Sequence, residues 1–213
     1  MRAVLLYLLL VNTPLYAATP FMEPWRNQPQ AFTLELQQQE LALTPDWQWH
    51  SQNLQAELVH MHSPILHLAI QASRQFAQIR GMSAEHDVDT YHGGLVIRGF
   101  SPRWQQLQLG TSLGIHWQQG ERGDTLSLRR HAWQPQLNLQ WQVAHPLALY
   151  AGLGLWQQQG TLELNNQTYS LPTDNRQYAL LGLDATIEPG GHVGLEVGRK
   201  EQKALAIYFQ RRY

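Results

Sequence analysis

Polar and apolar residues alternate with a period of two along much of the chain. Between Gln106 and Gln118 the odd positions are apolar with one exception, and every even position is polar or small. Successive side chains of a β-strand point to opposite faces, so this pattern predicts a strand with one apolar and one polar face. The apolar positions are Leu107, Leu109, Leu113, Ile115 and Trp117, and the polar face includes Gln108, Ser112 and His116.

The same alternation returns in five later segments, at residues 136–143, 147–156, 178–187, 192–198 and 205–210. After the first 18 residues, no segment has the ~20 consecutive apolar residues that a transmembrane helix requires. The chain is therefore predicted to be all-β and built from antiparallel hairpins.

The composition of the polar face indicates which side points inward. In a soluble barrel this face meets water and is rich in charge, whereas here it consists of glutamine, glycine, tyrosine and histidine, and only 15% of all residues are charged. Glycine on an exposed strand costs about 0.5–1 kcal/mol, but inside a narrow barrel it makes room for large neighbours such as Tyr150 and Trp156. We therefore place the polar face, with Gln108, Ser112, His116 and Gln140, in a lumen and the leucine face against lipid.

Turns that contain proline divide the chain at regular intervals. Pro64, Pro102, Pro146 and Pro189 are 38, 44 and 43 residues apart, which is the length of one hairpin of long strands. The polar segments 81–90, 119–124, 157–176 and 198–203 lie opposite these turns and are predicted to be the longer, extracellular loops. Ten strands in a closed up-and-down transmembrane β-barrel are expected over residues 31–213, with eight as the alternative because the first hairpin alternates less regularly. An even number leaves no unpaired edge in lipid.

The first 18 residues have the composition of a signal peptide. Arg2 precedes an apolar run from Ala3 to Val11, and Ala17 is a small residue at the expected cleavage position. A retained anchor is the alternative, but the run is too short to cross roughly 30 Å of hydrocarbon. Residues 19–30 would then be an N-terminal periplasmic segment. The chain has no cysteine and a net charge of -1, so neither disulfides nor a broad nucleic-acid-binding surface is expected.

Tryptophans on the apolar face are predicted to form an aromatic girdle at the membrane interfaces. Trp133 and Trp141 are eight residues apart, or roughly 20 Å of membrane height at a strand tilt near 40°. Trp117 also lies on the apolar face of its strand. Pro135 lies between the first two and cannot donate to a ladder, so a bulge or a strand end is expected there.

The C-terminal segment ends on an aromatic residue after an alternating apolar run. Leu205, Ile207, Phe209 and Tyr213 match the terminal strand by which the barrel assembly machinery recognises outer-membrane proteins, whereas Arg211 departs from that pattern. Together with the signal peptide and the hairpins, this segment resembles the small OmpA-like and OmpX-like barrels of Gram-negative bacteria. The resemblance covers the whole mature chain and implies an outer-membrane location without assigning a subfamily.

Charged residues of the lumen parity are predicted to form an interior network. Asp184 and Glu196 have this parity, and Arg98 is a candidate partner, because a carboxylate inside a narrow barrel must be paired or hydrated. The alternative role for these charged residues is to line a pore and determine its selectivity. Ser112 and His116 lie about 13 Å apart on one strand, too far for nucleophilic catalysis, although His116 could meet Asp184 or Glu196 across strands.

A structural or surface-interaction role without catalysis is the predicted function. The alternatives are a lipid-A-modifying barrel enzyme and a soluble, lipocalin-like ligand-binding barrel in the periplasm. We considered a metal site at His86, Asp89 and His92, or at the histidines around Pro64, and do not expect one. No cofactor is predicted. The expected partners are outer-membrane lipids, lipopolysaccharide and the barrel assembly machinery, with a monomeric protein.

Overall fold

In the computed structural model the chain forms a closed antiparallel barrel of ten strands, each paired with its neighbours in the sequence, and the first strand pairs with the last. The structure describes residues 30–213 except 45–46, 82–83, 123–125, 145, 165–166, 189 and 200–202, so the predicted signal peptide and most of the N-terminal segment lie outside it. The strands are β1 (Gln30–Thr44), β2 (Trp47–Ser63), β3 (Leu66–Gly81), β4 (Ala84–Phe100), β5 (Leu107–Arg122), β6 (Leu126–Ala144), β7 (Leu147–Leu164), β8 (Gln167–Glu188), β9 (Gly191–Arg199) and β10 (Lys203–Arg212).

The ten-strand prediction is confirmed, and the pairing register fixes the shape of the barrel. From Glu35 on β1, the direct partners on β2, β3, β4 and β5 end at Arg130 on β6. In the other direction round the barrel, the direct partners on β10, β9, β8 and β7 end at Gln142 on β6. Positions 130 and 142 give a stagger of 12 residues. With ordinary strand spacings, this stagger tilts the strands by about 40° from the barrel axis.

The two ends of the barrel differ. We call the end that carries Pro64, Pro102, Pro146 and the C-terminal Tyr213 the proline end, and the opposite end the extended end. At the extended end the polar segments that we predicted as long loops lie mostly in strands: residues 84–90 belong to β4, and residues 157–164 and 167–176 belong to β7 and β8. That part of the prediction was wrong, because outside the apolar layer both faces of a strand are polar and the alternation disappears while the pairing continues.

The β9–β10 hairpin is shorter than the other hairpins. β9 has nine residues and β10 has ten, whereas β8 has 22. The last described pair of β8 with β9 joins Ala179 to Arg199, so β8 continues towards the extended end with β7 as its neighbour. The wall of the barrel is therefore lower at this hairpin than around the rest of its circumference.

Pro135 lies inside β6 and neither ends the strand nor shifts its register. It faces Leu113 in the β5–β6 ladder, while the pairs between β6 and β7 skip from Trp133–Gln157 to Gln136–Gly154. A proline has no N–H to donate, so the ladder towards β7 is interrupted locally and resumes in the same register. The predicted bulge or strand end is thus replaced by a short gap in one ladder.

The exterior of the barrel is apolar and the interior is largely polar. All ten strands expose large apolar side chains outward, and the buried inward positions are mainly glutamine, glutamate, arginine, histidine and tyrosine. Trp117 and Trp133 lie outward towards the extended end, and Trp141 lies outward towards the proline end. Trp133 and Trp141 are separated by about 20 Å along the barrel axis at the observed tilt. No helix among the described residues is long and apolar enough to cross a membrane.

Candidate functional site

Three tyrosines fill the interior on the side of strands β7 to β10. Each tyrosine lies over a glycine that is its direct partner on the adjacent strand, so closely that a Cβ at the glycine would collide with the ring. The hydroxyl passes over that strand and reaches a polar group on the next one. The three rows are Tyr150–Gly182–Glu196, Tyr178–Gly154–Gln136 and Tyr208–Gly194–Asp184.

Hydrogen bonds close each row. The Tyr150 hydroxyl donates to Glu196 at 3.1 Å, and the Tyr208 hydroxyl donates to Asp184 at 2.9 Å. The Tyr178 hydroxyl donates to Gln136 at 2.8 Å. We call this side of the interior the aromatic half; it consists of the three tyrosines with Trp156 and Leu180, all of them buried.

The opposite side of the interior, the amide half, is formed by polar side chains of β1 to β4. Its strongest interaction is a buried ion pair in which the Arg98 guanidinium donates two hydrogen bonds to Glu57, at 2.5 and 3.1 Å. Gln71 donates a third to Glu57 at 2.6 Å. The other members are Thr33, Glu35, Gln37, Ser51, Asn53, Gln55, Ser73, Gln75, Thr90 and His92.

An apolar cluster closes the amide half towards the proline end. Its five members are buried and inward-facing on β1 to β4: Ala31, Val59, Met61, Ala69 and Val96. In the described part of this half, apolar side chains therefore lie between the polar ones and the proline end. A small cavity of about 10 Å³ remains near His92, His116 and Trp156, which is room for about one water molecule.

The structure divides the predicted charge network between the two halves. Asp184 accepts from Tyr208 and lies 3.0 Å from His192 Nδ1, and Glu196 accepts from Tyr150. Arg98 instead pairs with Glu57. Sequence reasoning missed Glu57, which lies in the first hairpin, where the alternation was irregular.

The other predicted lumen residues are inward but have different surroundings. His116 is buried and stacks on Trp156 with ring centroids 5.2 Å apart. Gln140 is buried beside Tyr150, its strand partner on β7. Gln108 donates to the Ser101 carbonyl near the proline end, and Ser112 is the strand partner of Arg98.

The residues predicted for assembly lie on the outer face. Leu205, Ile207 and Phe209 on β10 are exposed towards the outside, and β10 pairs with both β1 and β9. The exposed Tyr213 donates its backbone N–H to the Gln30 carbonyl at 2.9 Å, which fixes the end of the closing strand.

The hydrogen bonds of His192 and His92 do not have the geometry of a catalytic triad. Asp184 and Thr186 both approach Nδ1 of His192, at 3.0 and 3.4 Å. At His92, Thr90 and Gln75 both approach Nε2. A general base of the triad type needs its nucleophile and its carboxylate on opposite ring nitrogens, so neither cluster has that arrangement.

The side chains that the structure describes do not form the metal site that we considered at residues 86–92. Asp89 faces outward and pairs with Arg74, whereas His92 faces the interior. The His86 side chain lies outside the described ones. Among the described residues there is no group of three or more potential metal ligands, and the histidines around Pro64 are likewise divided between the faces, with His60 and His62 outside and His67 inside.

Comparisons with solved structures identify outer-membrane β-barrels. An outer membrane channel from Pseudomonas putida F1 superposes with a TM-score of 0.55 and 11% identity, over 93% of this chain and 100% of that one. The outer membrane protease OmpT from Escherichia coli gives 0.53 and 8% over 92% and 100%, and the translocator domain of the autotransporter NalP from Neisseria meningitidis gives 0.50 and 13% over 88% and 90%. No family model and no curated protein matches the sequence. The likeness supports an outer-membrane barrel fold and does not single out the OmpA-like and OmpX-like barrels.

Proposed function

We propose that this chain is a monomeric outer-membrane β-barrel, exported by its signal peptide and inserted by the barrel assembly machinery, whose lumen is closed by its own side chains. Its role would be structural or a surface interaction, with the proline end in the periplasm and the extended end outside. The observation that carries the proposal is the polar interior, closed by cross-strand hydrogen bonds, inside an apolar exterior.

The exterior supports the membrane location. Each of the ten strands exposes large apolar side chains, and the band between Trp141 and Trp133 has about the height of the apolar layer of outer-membrane barrels. A water-soluble barrel has the opposite arrangement, with an apolar core and a polar surface, so the band argues against the lipocalin-like alternative.

The interior supports a closed lumen. Pores for nutrients need about 16 strands, and barrels of eight to ten strands are filled by side chains. Here the inward side chains of both halves are buried and bonded to one another, by the Arg98–Glu57 pair in the amide half and by the tyrosine rows in the aromatic half. The channel and the protease among the structural neighbours share 11% and 8% identity with this chain, so the likeness extends to the fold and not to their activities.

The test has two parts. Cells that express the full chain are fractionated, and the outer-membrane fraction is examined for a barrel that migrates differently before and after heating. The purified barrel is then placed in planar bilayers beside a porin of about 16 strands. We expect heat-modifiable protein in the outer membrane and no stable conductance. Recovery in the soluble periplasmic fraction, or open states comparable to the porin, would overturn the proposal.

A separate measurement addresses the enzymatic alternative. Lipid A from expressing and non-expressing cells is compared by mass spectrometry, and no mass change is expected. A change that disappears in the His192→Ala or His92→Ala variant, at equal amounts of folded barrel, would show that the interior histidines act in catalysis and that the non-enzymatic role is wrong.

A further inference from the structure

Among the outward side chains that the structure describes on β1 to β8, the exposed cations near the extended end lie on β3 and β6. At the upper edge of the apolar band, towards the extended end, most outward side chains that the structure describes are neutral glutamines: Gln38, Gln52, Gln157 and Gln177 on β1, β2, β7 and β8. In the sector from β3 to β6, the outward positions instead carry Arg74, Tyr91, Arg129 and His131, all exposed. We call these four residues the basic face.

The strand register places the basic face across the upper membrane boundary. Arg74, Tyr91, Gln119 and Arg129 are direct partners on successive strands. Such a row spans about 14 Å over three strand spacings, and at a tilt of about 40° it rises by about 9 Å. Arg74 therefore lies near the height of Trp117, at the edge of the apolar band, and Arg129 lies in the polar layer above it.

The two arginines are held differently. The Arg74 guanidinium lies 4.4 Å from the Phe76 ring centroid and 5.4 Å from that of Tyr91, and it pairs with Asp89 at 2.5 Å. Arg129 makes no ion pair with the residues that the structure describes, and its side chain is exposed. The face therefore combines one cation that lies on aromatic rings and pairs with Asp89 with a second cation that is exposed.

We propose that the basic face binds the phosphorylated headgroup of lipopolysaccharide in the outer leaflet, an inference that rests on the proposed outer-membrane location. Arginine is suited to phosphate because its guanidinium donates two parallel, charge-assisted hydrogen bonds. Lipopolysaccharide carries phosphate groups on the sugars directly above its acyl chains. The same height is reached here by Arg129 and His131, above outward Trp117 and Trp133, which offer apolar surface to the chains.

The opposite end of the barrel supplies a matched control. Arg211 on β10 is also outward and exposed, and it pairs with Glu188 at 3.2 Å, much as Arg74 pairs with Asp89. Under the proposed orientation it faces the periplasmic leaflet, where lipopolysaccharide is absent. Arg211→Gln therefore removes a similar exposed charge from the surface without touching the basic face.

The test measures binding to the full-length barrel, refolded in detergent, with three probes: intact lipopolysaccharide, the same lipopolysaccharide after enzymatic dephosphorylation, and phosphatidylglycerol vesicles. We expect intact lipopolysaccharide to bind about tenfold more tightly than the other two, since charge-assisted contacts to phosphate are lost in the dephosphorylated form. Arg129→Gln should remove most of this preference, Arg74→Gln with Arg129→Gln should remove all of it, and Arg211→Gln should retain it.

The outcomes separate this inference from the proposed function. Heat-modifiability and insertion into vesicles are measured on the same samples. If the variants are folded and inserted but Arg129→Gln binds as Arg211→Gln does, the basic face is not a lipopolysaccharide site, and the barrel assignment stands. Equal binding of phosphatidylglycerol would show that any anionic lipid suffices and would overturn the choice of lipopolysaccharide. A chain that fails to insert into vesicles would instead contradict the proposed function.

Discussion

The two halves of the lumen are filled by different means. In the aromatic half, a few large rings lie on glycines, and each hydroxyl ends on an acceptor two strands away. In the amide half, many shorter side chains fill a similar space, and several buried polar atoms, including both amide atoms of Gln37 and Asn53, have no hydrogen-bond partner among the described residues. Rings that occupy defined positions specify one packing, whereas the amides leave their partners less determined, so substitutions should have different consequences in the two halves.

The largest effect is expected at the ion pair of the amide half. Arg98→Met would leave the Glu57 carboxylate buried without its guanidinium partner, and breaking a buried pair costs about 3–5 kcal/mol. The free energy of unfolding in lipid vesicles, measured with urea, should fall by this amount. The double variant Glu57→Gln with Arg98→Met should recover part of the loss, because no uncompensated charge remains. A double variant as unstable as the single one would show that packing, not charge, dominates there.

The next largest effect is expected at a tyrosine row of the aromatic half. Gly194→Ala would place a Cβ against the Tyr208 ring, which is fully buried and bonded to Asp184. Forcing such a ring aside costs about 1–3 kcal/mol. Gly99→Ala is the control, because its Cβ would meet the Thr111 Oγ1 at 3.2 Å and the Ile65 carbonyl oxygen at 4.0 Å, and no ring. The fraction of heat-modifiable barrel is measured for both variants at equal expression, and it should be lower for Gly194→Ala. Equal fractions would show that the Tyr208 ring does not lie against Gly194.

The difference between the halves also shows which features the sequence could predict. Alternation identified the later strands, because within the apolar layer the inward and outward positions differ strongly in polarity. It failed beyond that layer, where the strands of residues 84–90 and 157–176 have two polar faces and were predicted as loops. The strand count depended on the proline spacing and was correct at ten.

The interior contacts could be predicted only in part. Inward parity placed Asp184, Glu196 and His116 in the lumen, and small glycines suggested room for Tyr150. The partners could not be derived, because a partner two strands away depends on the registers of two ladders. Glu57 was missed because the apolar positions change phase between Leu36 and Leu41, so no inward face was assigned to the first hairpin.

A smaller effect is expected from the hydroxyls of the aromatic half. Tyr150→Phe keeps the ring on Gly182 and removes the bond to the Glu196 carboxylate, and bonds to charged groups contribute about 1.5–3 kcal/mol. Tyr178→Phe removes two bonds to neutral amides, the one donated to Gln136 and the one accepted from Gln134, and about 0.5–1.5 kcal/mol is expected for each. Because Tyr150→Phe takes a donor from a buried carboxylate, urea unfolding should show it to be at least as destabilising as Tyr178→Phe. The reverse order would show that the charge of Glu196 is satisfied without the tyrosine.

The smallest effect is expected at Gln37 of the amide half, which can be compared with Gln210 of β10, another fully buried glutamine. Gln210 donates to Thr33 at 2.9 Å across the seam between β10 and β1, whereas neither amide atom of Gln37 has a partner among the described residues. Gln210→Leu should cost about 1–3 kcal/mol, because the Thr33 hydroxyl loses its partner in a buried position. Gln37→Leu removes two unsatisfied polar atoms and adds apolar contact, so the free energy of unfolding should change by less than about 1 kcal/mol or increase. Both variants are unfolded with urea in the same vesicles, with heat-modifiability as the check on assembly. A loss at Gln37 as large as that at Gln210 would mean that the Gln37 amide is hydrogen-bonded in the folded barrel, for instance through interior water, and that the amide half is as fully satisfied as the aromatic half.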